Sequence, residues 1–66
     1  MEIRILRLPD VIARTGLSRT RVYDLEREGR FPRRRKISDR ASGWLESEVN
    51  EWIESRPFAD GEGAAA

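Results

Sequence analysis

At 66 residues the chain has room for one domain, of a size class that buries only about 60% of the surface its unfolded form exposes. It has no cysteine and no histidine, which excludes a disulfide framework, the common zinc sites and the usual general base. The net charge of +1 conceals a segregation: residues 18–43 carry nine basic against four acidic side chains, and residues 44–66 carry one against six. One part of the molecule should attract a polyanion that the other repels.

Residues 3–8, IRILRL, alternate imperfectly and predict a short extended arm or edge strand. Pro9 suits the first position of a helix, where its missing amide hydrogen would be unpaired anyway, and Asp10 favours the positive end of the dipole. That helix should run to about Thr15, bury Val11 and Ile12, and end at Gly16, which tolerates the left-handed conformation. Leu17 packs at the corner. Ser18 is an N-cap for a second helix from Arg19 to about Glu28, stopped by Gly29. Helix, tight turn, helix is the plan of a helix-turn-helix.

At about 100° per residue, Val22 and Leu25 share one face of the second helix with the stem of Glu26. Thr20, Tyr23, Asp24 and Arg27 point the other way, flanked by Arg19 and Arg21. Phe31 and Pro32 close the bottom of the core. In residues 33–44, RRRKISDRASGW, extended pieces near Arg35–Ile37 and Ser42–Trp44 flank a Ser-Asp-Arg-Ala reversal. Ile37 and Trp44 are expected to face inward and Arg35, Lys36 and Arg40 outward, making a β-hairpin wing with a basic rim. A third helix spans about Glu46 to Arg56, with Leu45, Val49, Trp52 and Ile53 as its buried stripe. Pro57 ends it. The fold expected is therefore mainly α with a small β-hairpin, a winged helix-turn-helix over residues 1–56, followed by a flexible tail over 57–66. Its core draws on Leu8, Val11, Ile12, Leu17, Val22, Leu25, Phe31, Ile37, Trp44, Leu45, Val49, Trp52 and Ile53.

The second helix carries the sharpest functional signal. Arginine donates two hydrogen bonds to guanine, threonine meets a thymine methyl or a phosphate, and residues near the start of a recognition helix reach bases. Arg19, Thr20 and Arg21 are the favoured base contacts, and Ser18 with its helix amides suits phosphate. Tyr23 and Arg27 lie on the same exposed side, Tyr23 for a phosphate or sugar. A half-buried Tyr23 and merely solvated arginines are the competing interpretation. Asp24 opposes DNA and is expected to orient Arg27 or Arg21. In the wing, Arg33, Arg34, Arg35, Lys36 and Arg40 should supply affinity more than sequence choice. Four neutralised phosphates would reduce affinity roughly 150-fold between 50 and 200 mM salt.

Trp44 and Trp52 lie in phase with aliphatic neighbours, which favours the core over base stacking. Glu46, Glu48, Glu51 and Glu54 are expected to be solvated or to form a self-association surface. With no phosphate-binding loop and no nucleophile–base pair, an enzyme is not expected, nor a cofactor, a metal or a small-molecule ligand. No apolar run approaches the roughly 20 residues of a membrane span and no signal-peptide pattern is present, so a membrane is not an expected partner either.

The stretch RLPDVIARTGLSRTRVYDLEREGRFPRR, continuing through GWLESEVNEWI, resembles the AlpA family of small phage and prophage DNA-binding proteins. That family is related to excisionases and to the DNA-binding domain of MerR regulators, and the resemblance covers about residues 5–56. It implies a winged helix-turn-helix on double-stranded DNA, cytoplasmic and nucleoid-associated. Ser18, Arg19, Thr20, Arg21 and Tyr23 then fall on the reading helix and Arg33 to Arg40 on the wing. The chain departs at Asp24, Glu26 and Glu28, where neutral or basic residues are usual, which weighs against tight non-specific binding by a monomer. Three functions remain open. A transcriptional regulator would recruit or block RNA polymerase. An excisionase would bend attachment-site DNA cooperatively, with self-association, and steer an integrase. A protein-interaction module would use the acidic third helix.

Overall fold

The computed structural model describes residues 3–59. It is a winged helix-turn-helix, mainly α with a small antiparallel sheet. In chain order the elements are β1 (Ile5–Leu6), α1 (Leu8–Thr15), α2 (Arg19–Arg27), β2 (Arg35–Ser38), β3 (Ala41–Leu45) and α3 (Glu46–Glu54). The sheet order is β1-β3-β2, so β3 is central and the arm before α1 forms one edge. Ile5 pairs with Leu45 and Leu6 with Trp44. From residue 60 onward the expected tail lies outside the described residues. Among the described residues, no helix is long and apolar enough to cross a membrane.

Local chemistry sets the helix boundaries. Pro9 lies in the first turn of α1, and Gly16 ends that helix at φ 75°, its amide donating to the Ile12 carbonyl. The Thr15 hydroxyl donates to the Val11 carbonyl at 2.7 Å and accepts from the Leu17 amide at 3.2 Å, fixing the turn from within. Ser18 then caps α2 by accepting from the Arg21 amide. The far end of α2 closes with two backbone bonds, Gly29 to Glu26 and Arg30 to Leu25. That pairing satisfies carbonyls the helix itself leaves open.

Among the described residues, seven apolar side chains are buried: Leu6, Val11, Val22, Leu25, Phe31, Trp44 and Val49. Leu8, Ile12, Leu17, Tyr23, Trp52 and Ile53 pack around them. Leu6 joins the core because β1 pairs with β3, a tertiary event that the arm's own sequence does not announce. The expectation for Ile37 is corrected, since it is 48% exposed. Between Lys36 and Ser38 the pairing with β3 slips by one residue, and Ile37 is the extra residue of that bulge. A bulged residue leaves the in-out alternation of the ladder, so its side chain need not face the core. Leu45 is half-buried rather than central. The third helix also stops short of Arg56, with Ser55 as its C-cap. Arg56 nevertheless serves that end, its Nε donating to the Trp52 carbonyl at 3.1 Å and its guanidinium lying 4.2 Å from the Trp52 ring centroid.

Gly43, in the middle of β3, is required by close approach. A Cβ there would sit 2.5 Å from Ile5 Cγ2 and 2.7 Å from the Leu6 carbonyl oxygen. Gly43→Ala should therefore push β1 off β3, at about 1–3 kcal/mol for overpacking. In a domain of this size that lowers the thermal midpoint by roughly 5–20 °C. Circular dichroism melting of the variant checks it, and an unchanged midpoint would contradict the close approach.

Candidate nucleic-acid interface

The first turn of α2 presents Arg19, Thr20 and Arg21, all exposed. Among the described residues none of these side chains makes a hydrogen bond or ion pair within the protein. The Ser18 hydroxyl oxygen is engaged as the cap, which leaves its proton free to donate elsewhere. Arg27 pairs with Asp24 at 3.2 Å, as expected of that carboxylate. The pair is exposed and contributes little to stability.

Tyr23 does not stand clear of the core. Its ring lies 6.4 Å from that of Trp44 and it packs against the buried cluster. The wing causes this: it folds back over α2, so a side that a lone helix would leave wet is partly covered. The Arg34 guanidinium lies 5.1 Å from the Tyr23 ring centroid and caps it.

Arg34 itself is committed to the fold. Its guanidinium meets Glu26 at 2.6 Å, and its backbone amide donates to the other oxygen of the same carboxylate at 2.7 Å. The Glu26 side chain is only 13% exposed, so this carboxylate is held rather than solvated. Arg35 is likewise tied, to Glu48 of α3 at 2.9 Å. Arg14 joins α1 to α3 through Glu46 at 2.7 Å and Asn50 at 3.2 Å. Two acids of α3 are thus spent on intramolecular arginines, a correction to their expected role as a wholly solvated or self-associating surface. Glu51 and Glu54 remain exposed.

Arg33, Lys36 and Arg40 have no acidic partner among the described residues. Arg33 lines a cleft with Tyr23, Arg27 and Arg34. Arg40, in the turn between β2 and β3, lines a second cleft with Arg19, Tyr23 and Arg7. Tyr23 lines both clefts, with Arg7, Arg19 and Arg40 on one and Arg27, Arg33 and Arg34 on the other. Arg7 was not singled out by the sequence. It lies in the arm ahead of α1, where no helical or hairpin pattern marks it, and only the folding of β1 onto β3 brings it to this face.

The two tryptophans are structural. Trp44 is 1% exposed, and its indole nitrogen donates to the Pro32 carbonyl at 3.0 Å. Trp52 donates to the Arg30 carbonyl at 2.7 Å. Phe31 sits between them, edge-on to Trp52 with centroids 4.8 Å apart. This leaves no open indole face on the wing for a base.

A family model described as prophage CP4-57 regulatory protein (AlpA) matches residues 4–57, nearly all of the described fold. The chain belongs to the AlpA family. It is 38% identical over 60 residues to the DNA-binding transcriptional activator AlpA of Escherichia coli (strain K12), covering 82% of this chain and 86% of that protein. It is 42% identical over 53 residues to the uncharacterized protein ORF88 of Enterobacteria phage P4, covering 80% of this chain and 60% of the relative. No solved structure matches significantly.

In this AlpA-family chain the Glu26–Arg34 contact should be the strongest of the surface ion pairs, because one carboxylate is part-buried and accepts two bonds. A double-mutant cycle with Glu26→Gln and Arg34→Ala, read by thermal or urea denaturation, is expected to give a coupling of about 1–2 kcal/mol. The same cycle on Asp24 and Arg27 should stay below about 0.5 kcal/mol. Equal couplings would contradict the distinction.

Proposed function

We propose that this protein is a transcriptional regulator that binds double-stranded DNA sequence-specifically. Residues Arg19, Thr20 and Arg21 of α2 enter the major groove, and the wing lies along the adjacent backbone. One observation carries this reading: Asp24 and Glu26 of α2 and Glu48 of α3 engage Arg27, Arg34 and Arg35, while the unengaged Arg19, Arg21, Arg33, Lys36 and Arg40 remain around the start of α2 and the wing. The DNA-binding activator of Escherichia coli that it resembles supports the same function. No catalysis enters it.

Roles divide by position. Arg19 and Arg21 donate to base edges, with Thr20 beside them. The Ser18 hydroxyl and the first amides of α2 suit a phosphate. Arg33, Lys36 and Arg40 neutralise phosphates, whereas Arg34 and Arg35 mainly hold the wing in place and Tyr23 supports it from below. Arg27, bound by Asp24, can reach a phosphate at the edge of the groove. A single module of this kind buries roughly 600–1,000 Å² on DNA, so two or more copies side by side complete the proposal. An excisionase would use the same face at a row of adjacent sites.

Gel-shift titrations on the gene's upstream region and the nearest attachment site, each at 50 and 200 mM salt, test the proposal. One or two discrete shifts on the upstream region support a regulator. A cooperative ladder confined to the attachment site would replace it with an excisionase, and no shift at low salt would leave a protein-interaction module. With three wing cations on phosphates, affinity should fall about 40-fold between the two salt concentrations. Arg21→Ala is expected to relax base preference by about 1–3 kcal/mol, whereas Lys36→Ala weakens all sequences alike and lowers the salt slope by about 1. Equal losses on operator and random duplex for both variants would sink the division of roles.

A further inference from the structure

Three arginines from distant parts of the chain line one cleft: Arg7 before α1, Arg19 at the start of α2, and Arg40 in the wing turn. All three residues are exposed. Among the described residues none of the three side chains has an acidic partner, in a chain where the arginines Arg14, Arg27, Arg30, Arg34 and Arg35 do have one. Leu8, Pro9 and Ile12 supply the apolar part of its lining, with Tyr23 and Ser42 completing it. Its volume is about 600 Å³, room for an extended sugar–phosphate segment.

Exposed guanidinium groups repel one another only weakly in water, but three arginines around one depression with no acid in its lining make a locus of positive potential that favours an incoming anion. The apolar part of the lining narrows the choice. A free inorganic anion gains nothing from Leu8 and Ile12, whereas a deoxyribose carries a CH-rich face that can lie on them while its phosphate meets the guanidinium groups. The position narrows it further, because the cleft joins the first turn of α2 to the tip of the wing.

We propose that this cleft is a backbone site for double-stranded DNA, in which Arg7 holds one phosphate and Arg40 another at the flank of the segment that α2 reads, beside Arg19 on its base edge. The assignment rests on the DNA-binding function proposed above and extends it to Arg7, a residue of the arm outside both the recognition helix and the wing. The arm thereby becomes a third DNA-contacting element. Arg7 fixes how far α1 sits from the backbone, and so the depth at which Arg19 and Arg21 enter the groove.

The test is fluorescence-anisotropy titration of the full chain on its preferred duplex and on a random duplex, from 50 to 200 mM salt, with wild type, Arg7→Ala, Arg7→Lys and Arg21→Ala. Loss of one phosphate contact should reduce affinity by about 8-fold at 0.1 M salt and lower the salt slope by about 0.9. Arg7→Ala is expected to show both changes equally on the two duplexes, with its thermal midpoint unchanged. Arg7→Lys should retain the slope. In a duplex scanned with single neutral methylphosphonates, one position should cost wild type affinity and cost Arg7→Ala nothing.

Wild-type affinity and slope in Arg7→Ala, with Arg21→Ala impaired, would overturn the phosphate site while leaving DNA binding intact. The cleft would then be assigned to an acidic peptide. A loss in Arg7→Ala confined to the preferred duplex would also overturn it, since a phosphate contact has no base preference. No binding by wild type at 50 mM salt would overturn the site and the DNA-binding function together.

Discussion

The position of the wing relative to α2 depends on the short connector from Gly29 to Arg34. It runs between α2 and β2 without a ladder of its own, so its polar backbone groups need other partners. Two come from indoles: Trp52 donates to the Arg30 carbonyl and Trp44 to the Pro32 carbonyl. Two more come from α2, where the Leu25 carbonyl accepts from the Arg30 amide and Glu26 accepts from the Arg34 amide. Phe31 is buried between the two tryptophans. The connector is thus bolted to the core at both carbonyls and at its apolar centre, and a hairpin that would be marginal alone is held at a defined angle.

The same economy governs charge. A net of +1 says little about a molecule in which ion pairs remove specific arginines from the available set. Arg14 and Arg35 lock α3 to α1 and to the wing, and Arg34 locks the wing to α2. Apart from the part-buried Glu26–Arg34 pair, these contacts are worth little individually in water. Their larger effect is selection, because Arg7, Arg19, Arg21, Arg33, Lys36 and Arg40, left without acidic partners among the described residues, belong to the arm, the start of α2 and the wing. Acids on α2, which look adverse to a polyanion, are in this light the groups that orient the remaining basic face.

Much of the fold was readable from short-range signals. Gly16 with Ser18, Pro9, Gly29 and the three- and four-residue apolar spacing of α3 each act within one helical turn, so the sequence carries them whole. The Ser-Asp-Arg-Ala reversal also placed the hairpin, because turn chemistry is local. The errors share one origin. Ile37 was expected inward from simple alternation, yet the bulge that turns it out is a property of two strands in register. Leu6 was passed over because its burial needs β3 as a partner. For Tyr23 the sequence leaves exposure and half-burial both open, because a helical wheel does not show Trp44 and Arg34 beside the ring.

The sequence by itself determined the element order, the helix-turn-helix corner, the presence of a basic wing and the identity of Arg19, Thr20 and Arg21 as the outward residues of the first turn. Those follow from caps, glycine conformations and periodicity, which involve neighbours a few residues away. Only the tertiary structure decided which cations are free. Arg34 and Arg35 are adjacent in the run that looks most like a DNA-binding patch, yet each is claimed by a carboxylate brought from another helix. Arg7 stands in an unremarked arm, yet folding delivers it beside Arg19 and Arg40. Charge pairing acts through space over a few ångströms, and distance along the chain carries no record of it.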